Sequence, residues 1–350
     1  MLSGLLAPKE YVSYLNPKIE VATLYEILHE HGYVNAMFDS CSKNYVREID
    51  FLSHRKLDAF YDSENMPGKE KFPGVSWGVL ETATLEAIRA QLKQYAESGK
   101  NFCVSYFPVA PHMPFDTPSK EFDKFDNGAG IMDGNYTGRY KNQLLYMDWI
   151  IAGIIESLER LGLLDSTVVV ITNDHGEMVG EERGKLGHGW QVAPELCNTP
   201  LIIMDPRRPG YRVNYTVGSQ IDVLPTILQV INIPKPVGEL YEGVSLYDES
   251  AATNRTIWFN SYRQRAVISD KKYFLEDNEP GGNPRDGRVH VFEMANDGVK
   301  TIFRETNETA NVSSRLDKYE RFQKSLIVHY DYYRKALSQG RAGERIREAR

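Results

Sequence analysis

The sequence predicts an α/β fold in which helices cover both faces of a doubly wound, mostly parallel sheet. A small C-terminal α+β subdomain with antiparallel strands should follow. Helical and strand-like patterns alternate along the chain, as in folds built on a parallel sheet. The 350 residues, 41% of them hydrophobic and 25% charged, suffice for one large domain with a small appendage. We place the α/β domain at residues 1–249 and the smaller subdomain at residues 250–350.

The first predicted helix begins after Thr23. Thr23 and Glu26 have the spacing of a capping box, and Gly32 suits the end of the helix. A short strand should follow at residues 35–38. Residues 39–73 then lose periodicity, and this predicts a loop-rich insertion, either at a substrate mouth or on the plain surface.

Two further helices and two strands complete the first half. One helix should end near Gly99, before a strand at residues 102–107. A long helix is predicted over about residues 140–161, with Gly162 after its end. It leads into a buried strand at residues 168–172. The apolar stripes of the two helices comprise Leu85, Ile88 and Leu92 in the first, and Leu144, Met147, Ile151, Ile154, Ile155 and Leu158 in the second.

The C-terminal hundred residues have shorter patterns. Two β-segments are predicted from Thr256 onward, and a third at residues 289–294, with a hairpin turn at residues 281–287. Residues 316–337 have the apolar periodicity of a helix.

Composition excludes several classes of protein. The net charge of −7 argues against nucleic acid as the main partner. No apolar run has the length of a membrane helix, and no signal peptide is visible at the start. Cys41, Cys103 and Cys197 lack metal-site spacing, and the last two are expected to be buried thiols.

Metal-binding residue types cluster after the strand at residues 168–172. Asp174 and His175 follow this strand directly, where open α/β sheets place their ligands. They therefore form a candidate metal-ligand pair. The alternative is an Asp-His-Gly turn that only caps a helix.

A glycine-rich loop extends this cluster. It carries Lys185, His188 and Trp190, and it has too many glycines for a helix and too many hydrogen-bond donors for filler. The apolar segment 200–204 should then return to the sheet.

The order of these segments resembles the sulfatase branch of the alkaline phosphatase superfamily, especially its lipoteichoic acid synthase-like members. Six ordered segments carry a resemblance more specific than any one motif. They are Gly4–Pro8, Leu24–Tyr33, Ser76–Gly78, Pro111–Phe115, the Asp174–Gly189 region and Ile221–Leu228.

The resemblance implies an alkaline phosphatase-like fold and a metal-dependent enzyme. Asp174 and His175 would bind one divalent cation, and we expect Ca or Mn, with Zn or Mg as alternatives. His112, Lys185 and His188 would contact the transferred sulfuryl or phosphoryl group. From the residues alone, His112 could be a loop histidine bonded to backbone, and Lys185 a solvated lysine.

Four neighbouring residues receive no catalytic assignment. Trp77 matches a pocket tryptophan of the resembling proteins, but filling of the core is the simpler expectation. Glu177 and Glu195 are not assigned, and Asp222 is interpreted as a helix cap.

The sequence departs from the resembling proteins at its start. Those proteins carry an acidic metal ligand and then a nucleophile before the segment that matches Met1–Gly4. We therefore expect a truncated chain, with negligible turnover of aryl sulfates and aryl phosphates. Ser3 aligns after the nucleophile position and is not expected to replace it.

Three hypotheses follow. The favoured one is a sulfatase-like metal-dependent hydrolase of sulfate esters, small or glycan-linked, in truncated form. The second is a phosphoglycerol transferase or phosphodiesterase of the same superfamily. The third is a catalytically inactive domain that binds an anionic ligand or a partner.

Overall fold

The computed structural model describes most of the first 250 residues and five strands beyond them. The described residues are 1–4, 22–43, 48–116, 118–126, 128, 136–180, 186–189, 192–234, 241–248, 250, 255–261, 264–269, 272–277, 288–296 and 301–306.

The first helix begins where the capping pattern predicts. α1 spans Leu24–Glu30, and Thr23 is its N-cap. The Glu26 carboxylate accepts the Thr23 backbone N–H at 2.9 Å, so the capping box is present. β1 (Val34–Asp39) follows and confirms the predicted strand.

The segment 39–73 is more ordered than predicted. It contains α2 (Glu48–Leu52) and β2 (Ala59–Tyr61). β2 pairs with β1 in parallel, so the prediction of a loop-rich insertion is wrong at this point. A strand of three residues is too short to show periodicity in the sequence.

The next elements complete the parallel sheet. β3 (Gly74–Val75) and β4 (Gly78–Val79) form a short hairpin before α3 (Glu81–Ser98). Gly99 ends α3 with a φ of 63°, as predicted. β5 (Phe102–Phe107) then pairs in parallel with β1, which gives the strand order β2-β1-β5.

The long helix α4 (Tyr136–Arg160) buries Met147 and Leu158 as predicted, but its buried face also includes polar residues that the predicted stripe lacks. Leu144 is 44% exposed, whereas Asn142 and Gln143 are fully buried. These polar side chains tolerate burial because they bind backbone groups. Asn142 Oδ1 accepts the Phe125 N–H at 2.9 Å, and the Gln143 amide donates to a loop carbonyl.

The region of the predicted site consists of short elements. β6 (Val169–Thr172), the hairpin strands β7 (Met178–Val179) and β8 (Leu186–Gly187), α5 (Pro194–Cys197) and β9 (Leu201–Met204) follow in order. β9 pairs with β6 in antiparallel orientation. The side chains of β6 are half-buried, so the prediction of a buried strand is not met. The first residue of β6 packs against the core that β1 and α3 share.

A five-stranded antiparallel sheet follows α6 (Val223–Val230), as expected for the C-terminal part. The division at residue 249 stays a prediction. The predicted turn at 281–287 and helix at 316–337 lie outside the described residues. The strands are β10 (Ile257–Asn260), β11 (Gln264–Ser269), β12 (Lys272–Asp277), β13 (Arg288–Asn296) and β14 (Thr301–Thr306).

None of the helices in the described part of the chain has the length and apolar character needed to cross a membrane.

Candidate active site

Asp174 and His175 form a turn directly after β6. His175 Nδ1 lies 2.8 Å from the carbonyl oxygen of Gly176. When Nδ1–H donates to this carbonyl, the neutral ring keeps its free lone pair on Nε2. Nε2 lies 3.4 Å from Asp174 Oδ2, and the two side chains are 39% and 60% exposed. The turn therefore presents a nitrogen and an oxygen donor side by side to solvent.

Backbone contacts fix the position of this turn. The Gly176 N–H donates to the carbonyl oxygen of Leu196 at 2.8 Å. A Cβ at Gly176 would lie 2.1 Å from the carbonyl oxygen of Glu195, so only glycine permits this approach. The Gln220 side-chain amide donates to the carbonyl oxygen of Asp174.

The β7–β8 hairpin pairs His188 with Glu177. Met178 lies opposite Gly187 in the hairpin. Glu177, which precedes Met178, therefore lies opposite His188, which follows Gly187. His188 Nδ1 lies 2.8 Å from Glu177 Oε2, and the Glu177 side chain is only 7% exposed. The hydrogen bond to Glu177 is the main cause that raises the pKa of His188 above its ordinary value.

Three histidine rings from different loops meet here. The ring centroids of His175 and His188 are 4.0 Å apart, and those of His188 and His112 are 5.5 Å apart. His188 therefore contacts both the turn of Asp174 and His175 and the loop after β5. The sequence places these residues up to 76 positions apart, and the fold brings them to one point.

A buried carboxylate holds the loop that carries His112. Glu81 is 1% exposed and lies at the start of α3. Its Oε1 accepts the backbone N–H groups of Val109 and Ala110, each at 2.7 Å. His112 Nδ1 in turn lies 2.7 Å from the carbonyl oxygen of Met113, which directs Nε2 away from the backbone.

Trp77 contacts the same loop and is half-buried, whereas filling of the core is the simpler expectation from the sequence. Its Nε1–H donates to the carbonyl oxygen of Met113 at 2.6 Å. Its ring lies edge-on to His112 with the centroids 5.3 Å apart. Trp77 therefore forms a wall beside His112.

Comparison with known proteins identifies the family. The family model described as Sulfatase matches residues 2–233. The chain belongs to the sulfatase family. This membership confirms the resemblance derived from the ordered motifs.

Two curated relatives and one solved structure illustrate the family's range. The low-salt glycan biosynthesis sulfotransferase Agl7 of Haloferax volcanii is 29% identical over 200 residues, covering 53% of this chain and 47% of the relative. The lipoteichoic acid synthase-like YvgJ of Bacillus subtilis is 24% identical, covering 60% and 34%. The chain thus spans half or less of the length of these relatives. The lipoteichoic acid synthase LtaP of Listeria monocytogenes has a TM-score of 0.72 at 17% identity, covering 94% of this chain and 78% of that chain, which confirms the alkaline phosphatase-like fold.

The donors fit one edge of a metal site of the kind expected for this family. Asp174 and His175 supply a carboxylate oxygen and an imidazole nitrogen, which suit Mn or Zn and tolerate Ca. Among the described residues, no group of three or more His, Cys, Asp or Glu side chains is arranged to hold an ion. Asp174 and His175 would therefore supply only two of the ligands that such an ion needs.

The remaining sequence-derived candidates have different outcomes. Lys185 and Trp190 lie outside the described residues. Asp222 is fully buried and lies at the N-cap position of α6, but its side chain makes no capping hydrogen bond to that helix. It instead accepts the N–H groups of Ser219 and Val244 and forms an ion pair with Arg255. The sequence offers no reason to assign a role to Glu177, because its partner His188 lies on the opposite side of a hairpin. Strand periodicity could not reveal this pairing in strands of two residues.

Proposed function

We propose that this chain binds the sulfuryl group of a sulfate ester and supports hydrolysis of that ester. The observation that carries this proposal is the meeting of His175, His188 and His112, each from a different loop, at one exposed edge of the fold. The names of relatives that include arylsulfatase K and an ulvan-active sulfatase are consistent with sulfate esters as substrates.

The side chains divide the chemistry between them. Asp174 and His175 would hold a divalent cation, which supplies charge neutralisation for the non-bridging oxygens when it is bound. When both ring nitrogens carry a proton, His112 and His188 would donate hydrogen bonds to those oxygens through Nε2–H, because Nδ1–H of each ring already donates to a protein oxygen. Lys185 would add a fixed positive charge. None of these five side chains is a hydroxyl or thiol nucleophile, so their proposed task is to bind and align the ester.

Phosphoryl chemistry is the second candidate. Trp77 lies against His112, and the resemblance associates this tryptophan with lipoteichoic acid synthase-like proteins. An aromatic wall beside the anion site suits an ester with a larger leaving group, as in a phosphodiester. The two candidates share the same anion-binding residues and differ in the number of non-bridging oxygens and in the size of the ester that is bound.

Calorimetry with inorganic sulfate, phosphate and orthovanadate, each with and without Mn or Ca, tests the proposal. We expect Asp174→Asn to abolish the dependence on metal, and His188→Ala to weaken anion binding roughly tenfold to a hundredfold, the loss of a charge-assisted hydrogen bond. His29→Ala is the matched control, since His29 is exposed on α1. Equal anion binding by His188→Ala and the wild type would contradict the proposal.

Chromogenic esters distinguish the candidate reactions. Turnover of 4-nitrophenyl sulfate that depends on Asp174 supports the sulfatase, and turnover of bis(4-nitrophenyl) phosphate supports the phosphoryl alternative. Anion binding without either reaction supports the third hypothesis, a binding domain.

A further inference from the structure

The backbone of Val192 is held by two side chains of the C-terminal sheet. Val192 follows His188 by four residues and is 4% exposed. Its N–H donates to Gln264 Oε1 at 2.8 Å, and its carbonyl oxygen accepts the Tyr273 hydroxyl. Both polar groups of this buried peptide position are therefore bound by residues that lie more than seventy positions later in the sequence.

The two side chains belong to one rigid face of the sheet. Gln264 begins β11, and its backbone N–H donates to Ser261 Oγ at 2.9 Å. Tyr273 on β12 is fully buried, and its ring centroid lies 6.0 Å from that of Phe259 and 5.7 Å from that of Phe292. These contacts restrain the ring of Tyr273 and the backbone of Gln264.

His188 lies between this attachment and a second one. On the other side, the β7–β8 pairing and the 2.8 Å contact with Glu177 hold the ring. Beyond Val192, the carbonyl oxygen of Leu196 accepts the Gly176 N–H of the Asp174–His175 turn. Val192 lies four residues after His188 and four before Leu196 in the sequence, so its two hydrogen bonds join the C-terminal sheet to the chain close to both halves of the candidate site.

We infer that Gln264 and Tyr273 are positioning residues that set the place of His188 in the anion site. Leaving a buried backbone group without a hydrogen-bond partner costs free energy. The backbone of Val192 is therefore most stable in the position where both Gln264 and Tyr273 can bind it. A shift of about 1 Å at a catalytic group can reduce rates about a hundredfold. This inference rests on the proposed function for the role of His188, while the positioning itself can be measured separately.

Two variants remove the hydrogen bonds to Val192 and keep the packing volume: Gln264→Met and Tyr273→Phe. The second also removes the 4.0 Å contact between the Tyr273 hydroxyl and Cys197 Sγ. Tyr25→Phe is the matched control, because Tyr25 is also fully buried and its hydroxyl contacts Met37 Sδ, away from the site. The ring nitrogen signals of His188 and the affinity for orthovanadate are measured for each protein, together with the melting temperature.

We expect both variants to shift the His188 nitrogen signals towards those of the exposed His29 and to weaken orthovanadate binding about tenfold. Tyr25→Phe should lower the melting temperature without either change. Unchanged His188 signals in folded Tyr273→Phe and Gln264→Met would overturn the inference. If the wild type itself fails to bind orthovanadate, the proposed function fails, and the His188 signals still decide the positioning role.

Discussion

Glu81 is the most informative residue to change, because one carboxylate supports the whole loop of His112. Besides the backbone N–H groups of Val109 and Ala110, it accepts the hydroxyl groups of Ser40 and Tyr106. Glu81→Ala would leave these two half-buried N–H groups without their acceptor. At about 1 to 3 kcal/mol each, their loss should lower the free energy of unfolding by about 2 to 6 kcal/mol.

Glu81→Gln separates the hydrogen bonds from the charge. The amide oxygen can still accept both backbone N–H groups, and the amide nitrogen can donate to the two hydroxyl oxygens once these rotate. We therefore expect this variant to change the free energy of unfolding by only about 1 kcal/mol at neutral pH.

The pH dependence has a definite sign. Burial raises the pKa of Glu81 above its ordinary value, and the hydrogen bonds from Ser40 and Tyr106 offset this in part. The folded state therefore holds the proton more tightly than the unfolded state. This contribution to stability is fully present below the unfolded pKa and is lost as pH rises through the folded pKa. The wild type should thus lose stability relative to Glu81→Gln between acid and neutral pH.

Urea unfolding followed by circular dichroism, repeated from acid to neutral pH, measures all three proteins. The reasoning is refuted if Glu81→Ala lies within about 0.5 kcal/mol of the wild type, the range of an ordinary surface substitution. It is also refuted if Glu81→Gln is as damaging as Glu81→Ala, since the hydrogen bonds to the loop would then not be the cause.

Three further predictions concern other contacts. Burial raises the pKa of Cys197 to about 12. At pH 8, iodoacetamide should therefore alkylate Cys197 at least roughly a hundredfold faster in urea than in the native chain, and comparable rates would contradict this. Arg255→Leu leaves the fully buried Asp222 without its ion-pair partner and should lower the free energy of unfolding by about 3 to 5 kcal/mol in urea titrations. The double variant with Asp222→Asn should lose less free energy of unfolding than the sum of the losses in the two single variants. Gly176→Ala places a Cβ 2.1 Å from a backbone oxygen and should reduce both melting temperature and Mn affinity, whereas Gly74→Ala, with no atom within 4 Å, should change neither.

The sequence predicts those parts of the fold whose signals are local. The capping pair Thr23 and Glu26 and the left-handed Gly99 give correct helix ends, because these signals involve only neighbouring residues. The buried face of α4 is predicted only in part, because Asn142 and Gln143 are buried through hydrogen bonds to the backbone of the preceding loop. Hydrophobic periodicity carries no information about such partners.

The candidate site shows the same division. Asp174 and His175 stand out in the sequence because they follow a strand, and His188 because it lies among glycines, whereas the assignment of His112 depends on the family resemblance. The meeting of the three histidine rings supports these assignments. Glu177 does not stand out, because it contributes to the site only through its contact with His188, which lies opposite it in a hairpin with strands of two residues.

The buried acidic residues explain why the half-buried rings of His112 and His188 can be both accessible to a ligand and fixed in place. A loop that presents a side chain to solvent gains little rigidity from packing of that side chain. Glu81 therefore fixes the His112 loop through its backbone, and Glu177 fixes His188 through its ring. Each acid is itself nearly inaccessible, at 1% exposure of the residue and 7% of the side chain respectively, so water does not compete for these bonds. Substituting either acid should therefore disturb the geometry of the anion site even though neither carboxylate is assigned to contact the ester.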